Sequence, residues 1–318
     1  MSQKVLRWGM VGSGLMADLI VPEFQYAENT QLRYLCTRNP ESAAAKFQKW
    51  GTEVPLISDF EAMCNDPEVD LVYVAVPHGL HYEYAVKAIE AGKAVLVEKA
   101  FTLSSAQAED LAERAAARGV FIMEAMWTRF LPLYQKLQAE IAAGAIGDVI
   151  LTNAFFGFPA AGLGLEHRLI KKELGGGSLL DQGVYTANFA DIFFGGQLPI
   201  AVEAKGSLLP NGVDGLTLVT LDYGNGRFGL ANSSISAGLG TEAIIAGSAG
   251  HIRIRGAFWN ADEAEIVIVG QTGEPEVRKV VGGKTSIGYN FMIRQVSADV
   301  LAGKLQSEVH PISNTIRM

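Results

Sequence analysis

The sequence predicts an α/β fold in two parts: a doubly wound parallel sheet over residues 1–124, then an α+β domain over 125–318 built on an open, mostly antiparallel sheet. Three observations carry this reading. Apolar strand-like runs alternate with helix-periodic stretches through the first 124 residues. A glycine turn, Gly12 to Gly14, separates the first strand from the first helix. Past residue 124 strand-like segments recur with few helices between them.

Val5 to Gly12 is a short apolar strand, and helical periodicity begins near Leu15. Gln31 to Arg38 reads as a second strand, Ser42 to Trp50 as a helix, Asp70 to Val76 as a buried strand and His81 to Ala91 as a helix. Ala94 to Val97 is a further strand that ends in Glu98-Lys99, followed by an Ala-rich helix from Ser104 to Arg118 and a short strand at Phe121 to Met123. Repeated βα units of this kind require right-handed crossovers and cover both sheet faces with helices, which is the Rossmann arrangement. Beyond a helix at Pro132 to Ala143, strands are expected at Val149 to Phe156, Ile200 to Leu208, Leu216 to Tyr223, Arg227 to Ser236 and Glu242 to Gly247, with Val184 to Phe194 the one strong helix among them. Helices on one face of such a sheet leave the other bare. A homodimer through that face is therefore expected, with Leu216 and Leu218 among its apolar residues.

The chain has 318 residues, enough for two cores, and its hydrophobic and charged fractions of 49% and 19% are those of a globular protein. A formal net charge of -8 argues against a phosphate-backbone footprint, so nucleic acid is excluded as a partner. No apolar run is long enough to span a membrane. Two cysteines, Cys36 and Cys64, and an N-terminus without an apolar signal core lead to the expectation of a cytoplasmic protein.

Gly12-Ser13-Gly14-Leu15-Met16-Ala17 matches G-x-G-x-x-A between a strand and a helix, where the tight turn exposes amides to a dinucleotide pyrophosphate. At the end of the second strand an NAD site places an acidic residue on the ribose hydroxyls. Here the position reads Cys36-Thr37-Arg38. The Arg38 guanidinium suits a 2′-phosphate and Thr37 offers a neutral hydroxyl, so NADP is expected over NAD; a surface arginine at a strand end is the alternative. Pro77, His78 and His81 follow a strand end and either line the nicotinamide side of the cleft or, for His81, cap the next helix. The H-x-x-H spacing has no further ligands near it, and no metal is expected. Glu98 and Lys99 close a central strand, and ligands of doubly wound sheets bind outside such ends; a solvated strand end is the alternative.

In the second part, the run Gly175 to Tyr185 places Asp181 and Tyr185 four residues apart, on one face if the segment is helical. An N-cap for Asp181 and a core position for Tyr185 stay open. Trp127 and the cluster Phe155, Phe156 and Phe158 offer aromatic faces to an apolar ring face, or are core. Arg129 and Arg168 are candidate substrate ligands that could equally clamp a phosphate or carboxylate.

These motifs together give the chain its resemblance to the glucose-fructose oxidoreductase, inositol dehydrogenase and MocA family, over nearly its whole length. The residues that carry it are Gly12 to Ala17, Val76-Pro77 with His81, Glu98-Lys99 and Gly175 to Tyr185. Met123-Glu124-Ala125-Met126-Trp127-Thr128-Arg129-Phe130 is similar, within the family, to the group of dimeric dihydrodiol and NADP-dependent D-xylose dehydrogenases. The resemblance implies a lysine, an aspartate and a tyrosine or histidine around the substrate, which fall on Lys99, Asp181 and Tyr185. Removing a hydride from an alcohol carbon requires loss of the hydroxyl proton. A tyrosine, with an ordinary pKa of about 10, needs a nearby cation to take it near neutrality, and Lys99 supplies that charge while Asp181 orients the pair.

The chain departs from the family pattern in reading Glu98-Lys99-Ala100 where Glu-Lys-Pro is usual, which removes a local constraint on the backbone that presents Lys99. It also ends at Pro311 to Met318, where relatives continue into another Rossmann helix, so a shortened sequence is expected. The implied activity is hydride transfer between NADP and a secondary alcohol or hemiacetal carbon, with trans-dihydrodiols and aldoses as leading substrates. Dehydrogenases of inositol, anhydro sugars or sugar phosphates are the enzymatic alternative, and a non-catalytic NADP-binding sensor is the alternative of another class.

Overall fold

Strand β1 (Leu6–Val11) buries every residue but Arg7, as a central strand of a parallel sheet requires. The computed structural model describes residues 4–160, 162–269 and 274–318. After β1 come α1 (Leu15–Ile20), β2 (Thr30–Cys36), the short helices α2 (Pro40–Ala44) and α3 (Phe47–Trp50), β3 (Leu56–Ile57), α4 (Phe60–Asn65) and β4 (Leu71–Val74). Then follow α5 (His81–Glu90), β5 (Ala94–Val97), α6 (Ser105–Arg118) and β6 (Ile122–Glu124). The boundaries follow local chemistry. Ser104 caps α6 by accepting the Gln107 amide, and Gly119 at φ +67° ends it in the left-handed conformation.

Among the described residues six strands form one sheet in the order β3-β2-β1-β4-β5-β6, all neighbours parallel. The order reverses between β1 and β4, the switch point outside which dinucleotides bind in such sheets. One sheet face packs Val72, Val74, Val95 and Val97 against Ala85, Ala88, Ile89, Leu111 and Ala115. The structure differs from the sequence expectation of a single break at 124/125 in where the first unit ends and in a return of the chain to it. The chain divides into a first unit of residues 1–130 together with 285–317 and a second of 131–284. The returning segment carries α9 (Tyr289–Leu301) and α10 (Ile312–Arg317). Its attachment has a polar cause: the buried Trp8 indole donates to Ser297 Oγ at 2.9 Å, and Glu23 Oε2 accepts from Ser286 Oγ, Gly288 N and Asn290 N at 2.9, 3.0 and 3.2 Å. Buried polar groups left without such partners cost about 1–3 kcal/mol each.

The second unit begins with α7 (Pro132–Ala142), whose proline sits in the first turn where no amide is needed. It continues through β7 (Val149–Gly157), a π turn at Leu179–Gly183, α8 (Val184–Phe193), β8 (Ala201–Leu208), β9 (Asp214–Asp222), β10 (Phe228–Ser234), β11 (Ala243–Gly247), β12 (Gly250–Ile254), β13 (Glu263–Ile268) and β14 (Glu276–Val281). Among the described residues these strands form an eight-stranded sheet ordered β14-β13-β12-β11-β7-β10-β9-β8. It is mixed, because β7 and β10 run parallel while the other pairs are antiparallel. Helix α8 covers one face so closely that a Cβ on Gly229 would lie 2.9 Å from Ala190 Cβ. On the other face Leu218, paired with Asn232, is 42% exposed, and Phe228 is 38% exposed.

Candidate functional site

In the first unit the candidate residues gather at the carboxyl ends of β1, β2, β4 and β5. Gly12 has φ +111°, and a Cβ there would lie 2.2 Å from the Ala75 carbonyl oxygen, so only glycine lets the chain turn against the end of β4. Gly14 differs: a Cβ would meet nothing within 4 Å. Its bare backbone faces open space, the kind of cradle that a pyrophosphate can approach. Leu15 is exposed and Met16 half-buried beside it. Ser13 Oγ and the buried Thr37 Oγ1 share a hydrogen bond of 2.7 Å, which ties the glycine turn to the end of β2. Thr37 Oγ1 also accepts the Asn39 amide at 3.2 Å. Between them Arg38 projects, exposed. Lys46 Nζ donates to Ser13 O at 2.8 Å and pairs with Asp18 at 3.2 Å, a second brace on the turn that the sequence reading missed.

At β5 the chain leaves the sheet through Glu98 and Lys99, and the Lys99–Ala100 peptide is cis. Pro77 starts a single 3-10 turn, His78–Leu80, and the buried His78 Nε2 donates to Lys99 O at 3.1 Å. His81 is fully buried, and its ring does not cap α5. Instead Nε2 lies 2.8 Å from Val76 O and Nδ1 2.9 Å from Ala100 O, so the ring bridges two loops through carbonyls. Burial lowers its pKa against the Val76, Ala100 and Phe101 carbonyls, which raise it, and Lys99 acts in the direction of burial. Glu98 is buried and accepts the hydroxyl of Tyr73, also buried, on β4. Burial pushes the Glu98 carboxyl up to about 7, against Tyr73 and Lys99, which pull it down. Trp127 and Arg129 lie on a buried 3-10 turn, Trp127–Phe130, and Trp127 stacks on Tyr289 with ring centroids 4.1 Å apart.

The second unit brings its own candidates together. Arg168 Nη1 pairs with Asp181 Oδ1 at 2.8 Å, with Asp181 buried and Arg168 more than a third exposed. Asp181 is not a helix cap. It lies in the π turn Leu179–Gly183, and Gly183 precedes α8 as its N-cap. Single π turns widen a helix locally and recur at functional sites. The turn is anchored from outside, since Asp214 Oδ2 accepts from Ser178 Oγ and Leu179 N, both at 2.7 Å. Gly177, at φ +116°, makes room for this carboxylate: a Cβ there would lie 2.0 Å from Asp214 Oδ1.

Tyr185 is buried on the first turn of α8, 5.9 Å from Phe156 and 6.1 Å from Trp259 between ring centroids. Phe156 and Trp259 stack face to face at 3.6 Å with 5° between their planes. Trp259 was not singled out in the sequence, where it sits in a loop about 100 residues from Phe156 with no periodicity to mark it. Among the described residues no group of three or more His, Cys, Asp or Glu side chains could hold a metal ion. No helix among them is long and apolar enough to cross a membrane.

Residues 6–126 match the model of the oxidoreductase family with an NAD-binding Rossmann fold, GFO/IDH/MocA, and residues 134–253 match the GFO/IDH/MocA C-terminal domain. A trans-1,2-dihydrobenzene-1,2-diol dehydrogenase of Xenopus tropicalis is 30% identical over 97% of this chain and 93% of its own length. The mouse enzyme of the same name is 33% identical over 90% of this chain and 83% of its own. Among solved structures, an aldose-aldose oxidoreductase from Caulobacter crescentus complexed with glycerol superposes with a TM-score of 0.85 at 23% identity, covering 99% of this chain and 94% of that one. A levoglucosan dehydrogenase in complex with NADH and levoglucosan superposes with a TM-score of 0.86 at 20% identity, covering 98% and 94%. These matches to both halves and the relatives of 30% and 33% identity lead to one assignment: the chain belongs to the GFO/IDH/MocA family and is an NAD(P)-dependent oxidoreductase.

Proposed function

We propose that the protein transfers a hydride between NADP and a secondary alcohol or hemiacetal carbon of a neutral diol or sugar, of the trans-dihydrodiol or D-xylose type. On this reading the first unit holds the dinucleotide, and the second supplies the substrate pocket and the surface for a homodimer. The observation that carries it is the Phe156–Trp259 stack beside Tyr185, an aromatic wall next to a phenol, with Arg168 already paired to Asp181.

Gly12, Ser13 and Gly14 would hold the pyrophosphate, and Thr37 and Arg38 the ribose 2′-phosphate. When bound, the nicotinamide supplies the hydride acceptor or donor. The chain's own residues handle the proton. Tyr185 takes the hydroxyl proton of the alcohol at its phenolic oxygen, and Lys99 is the second catalytic candidate that the family resemblance implies. Asp181, its carboxylate fixed by Arg168, accepts a substrate hydroxyl and sets the ring's orientation. Phe156 and Trp259 exclude water from apolar ring faces, and Trp127 and Arg129 are further candidate ligands. The pairing of Arg168 with Asp181 favours a neutral substrate, because an arginine already neutralised is a weaker phosphate clamp. The names of the relatives support the diol reading: both relatives named above are trans-1,2-dihydrobenzene-1,2-diol dehydrogenases. Steady-state assays with NADP and NAD against D-xylose, a trans-dihydrodiol and a hexose phosphate test the proposal. NADP-linked turnover favouring the neutral rings supports it, and a preference for the phosphate overturns it.

A further inference from the structure

Glu124, the last residue of β6, is 2% exposed and the proton chemistry above does not use it. Its two carboxylate oxygens face different partners. Oε1 accepts the Phe101 amide at 3.1 Å. Oε2 accepts the Thr315 hydroxyl at 3.1 Å and lies 3.1 Å from Nε2 of His310, a residue with no exposed surface. His310 Nε2 and Thr315 Oγ1 are themselves 3.2 Å apart. Thr315 belongs to α10, whose Ile312 and Ile316 pack on the core of the first unit.

Such a cluster is a poor way to attach a helix. Replacing a buried polar or charged cluster by well-packed apolar residues is often neutral or stabilising, whereas removing one partner strands the other. What the cluster does that an apolar contact would not is to fix one amide, that of Phe101, two residues beyond Lys99. The same short segment is held on its carbonyl side by His78 at Lys99 O and by His81 at Ala100 O. Backbone from 99 to 101 is thus gripped on both sides by buried side chains, and the Glu124 grip depends on the C-terminal segment.

We propose that His310 is a positioning residue for Lys99, acting through the Glu124 carboxylate on the Phe101 amide. This rests on the reading of Lys99 as a catalytic residue. His310 keeps Glu124 an acceptor: burial alone would raise that carboxyl, and the hydrogen bond and charge of His310, with Thr315 and the Phe101 amide, hold it below its ordinary value. Glu98 on the adjacent strand is the other carboxyl that senses Glu124, and Lys99 is the cation beside Glu98. Without His310 the Glu124 carboxyl takes up a proton at higher pH, and its Oε1 becomes a neutral, weaker acceptor that holds the Phe101 amide less firmly.

The test is a set of full-length variants assayed with saturating NADP and a neutral diol or aldose, with melting temperature and NADP affinity measured alongside. His310→Leu should lower kcat at least about tenfold, since a misplacement of about 1 Å can cost on the order of 10²-fold. NADP affinity should stay within about twofold, and the acid limb of the kcat profile should move to higher pH. His310→Gln, which keeps a donor, should recover most of the loss, and Thr315→Val should show a smaller change of the same sign if His310→Leu does not fold. In a Lys99→Met background His310→Leu should remove little further turnover, because coupled residues are not additive. A His310→Leu enzyme with wild-type kcat and pH profile but a lower melting temperature would overturn the proposal. So would parallel loss of kcat and NADP affinity. Turnover that survives in Lys99→Met overturns the role of Lys99 and this proposal with it, whereas turnover lost in Lys99→Met and kept in His310→Leu overturns this proposal alone.

Discussion

Tyr73, in the middle of the first unit's sheet, donates its hydroxyl to Glu98, the residue immediately before Lys99, and both side chains are buried. A carboxyl in that position faces opposing forces: desolvation favours its neutral form, while the phenol and the lysine favour the charged one. Its pKa of about 7 stands above the ordinary Glu value of 4.5.

That displacement gives a stability prediction with a definite sign. The folded state holds a proton on Glu98 more tightly than the unfolded chain, so its favourable contribution is complete below pH 4.5 and is lost as pH rises through about 7. Glu124 has the opposite sign and loses its contribution only below the ordinary carboxylate range. Chemical denaturation at pH 5 and pH 7.5 should therefore show a wild-type decline that Glu98→Gln reduces by on the order of 1–3 kcal/mol. An identical pH dependence in wild type and variant would remove Glu98 as the titrating group.

Cofactor choice is predicted to rest on Arg38. A charge-assisted hydrogen bond contributes about 1.5–3 kcal/mol, so Arg38→Ala should weaken NADP about ten- to a hundredfold while changing NAD far less. Fluorescence titration of both dinucleotides measures it. Equal losses for the two would show that the guanidinium does not meet the 2′-phosphate.

Lys99→Ala and Tyr185→Phe should each lower kcat by about 10²- to 10⁴-fold, the usual range for a lost proton-transfer group, with NADP affinity nearly unchanged. Asp181→Asn should cost less, because Arg168 still holds the side chain in place. Tyr185→Phe with wild-type turnover across pH would make another group the base.

Association is predicted through the face of the second sheet opposite α8. Leu216 and Leu218 of β9 pair there with Ser234 and Asn232 of β10, leaving Leu218 and Phe228 in solvent. Light scattering at micromolar concentration should give a dimer, and Leu218→Lys should shift it toward monomer. A monodisperse wild-type monomer would contradict the prediction.

Much of the first unit was legible because its signals are local. The turn at Gly12 and the apolar runs at Leu71 and Ala94 each announce their element within a few residues. The return of residues 285–317 was not, since α9 buries Asn290, Ser297 and Asp299 and so hides its apolar stripe. Strands β12 to β14 were missed because their alternating pattern reads equally as surface loop until β11 supplies a partner. In the site, Lys99, Asp181 and Tyr185 follow strand-end and helix spacing, but Trp259 and His310 reach Phe156 and Glu124 only through tertiary contacts.

The wall beside Tyr185 should set substrate preference: Trp259→Ala should raise KM for ring substrates while leaving NADP affinity intact, as loss of one half-buried aromatic face removes about 0.5–1.5 kcal/mol of stacking beyond its area. A KM unchanged for every ring substrate would remove Trp259 from the pocket.

The most direct test of the account is kcat/KM for NADP reduction with D-xylose, a trans-dihydrodiol and a hexose phosphate, run on wild type and on Tyr185→Phe. NADP should be reduced with a neutral ring substrate in preference to the phosphate, and the Tyr185→Phe enzyme should lose this turnover. Preference for the hexose phosphate, or equal turnover in the two enzymes, would contradict it.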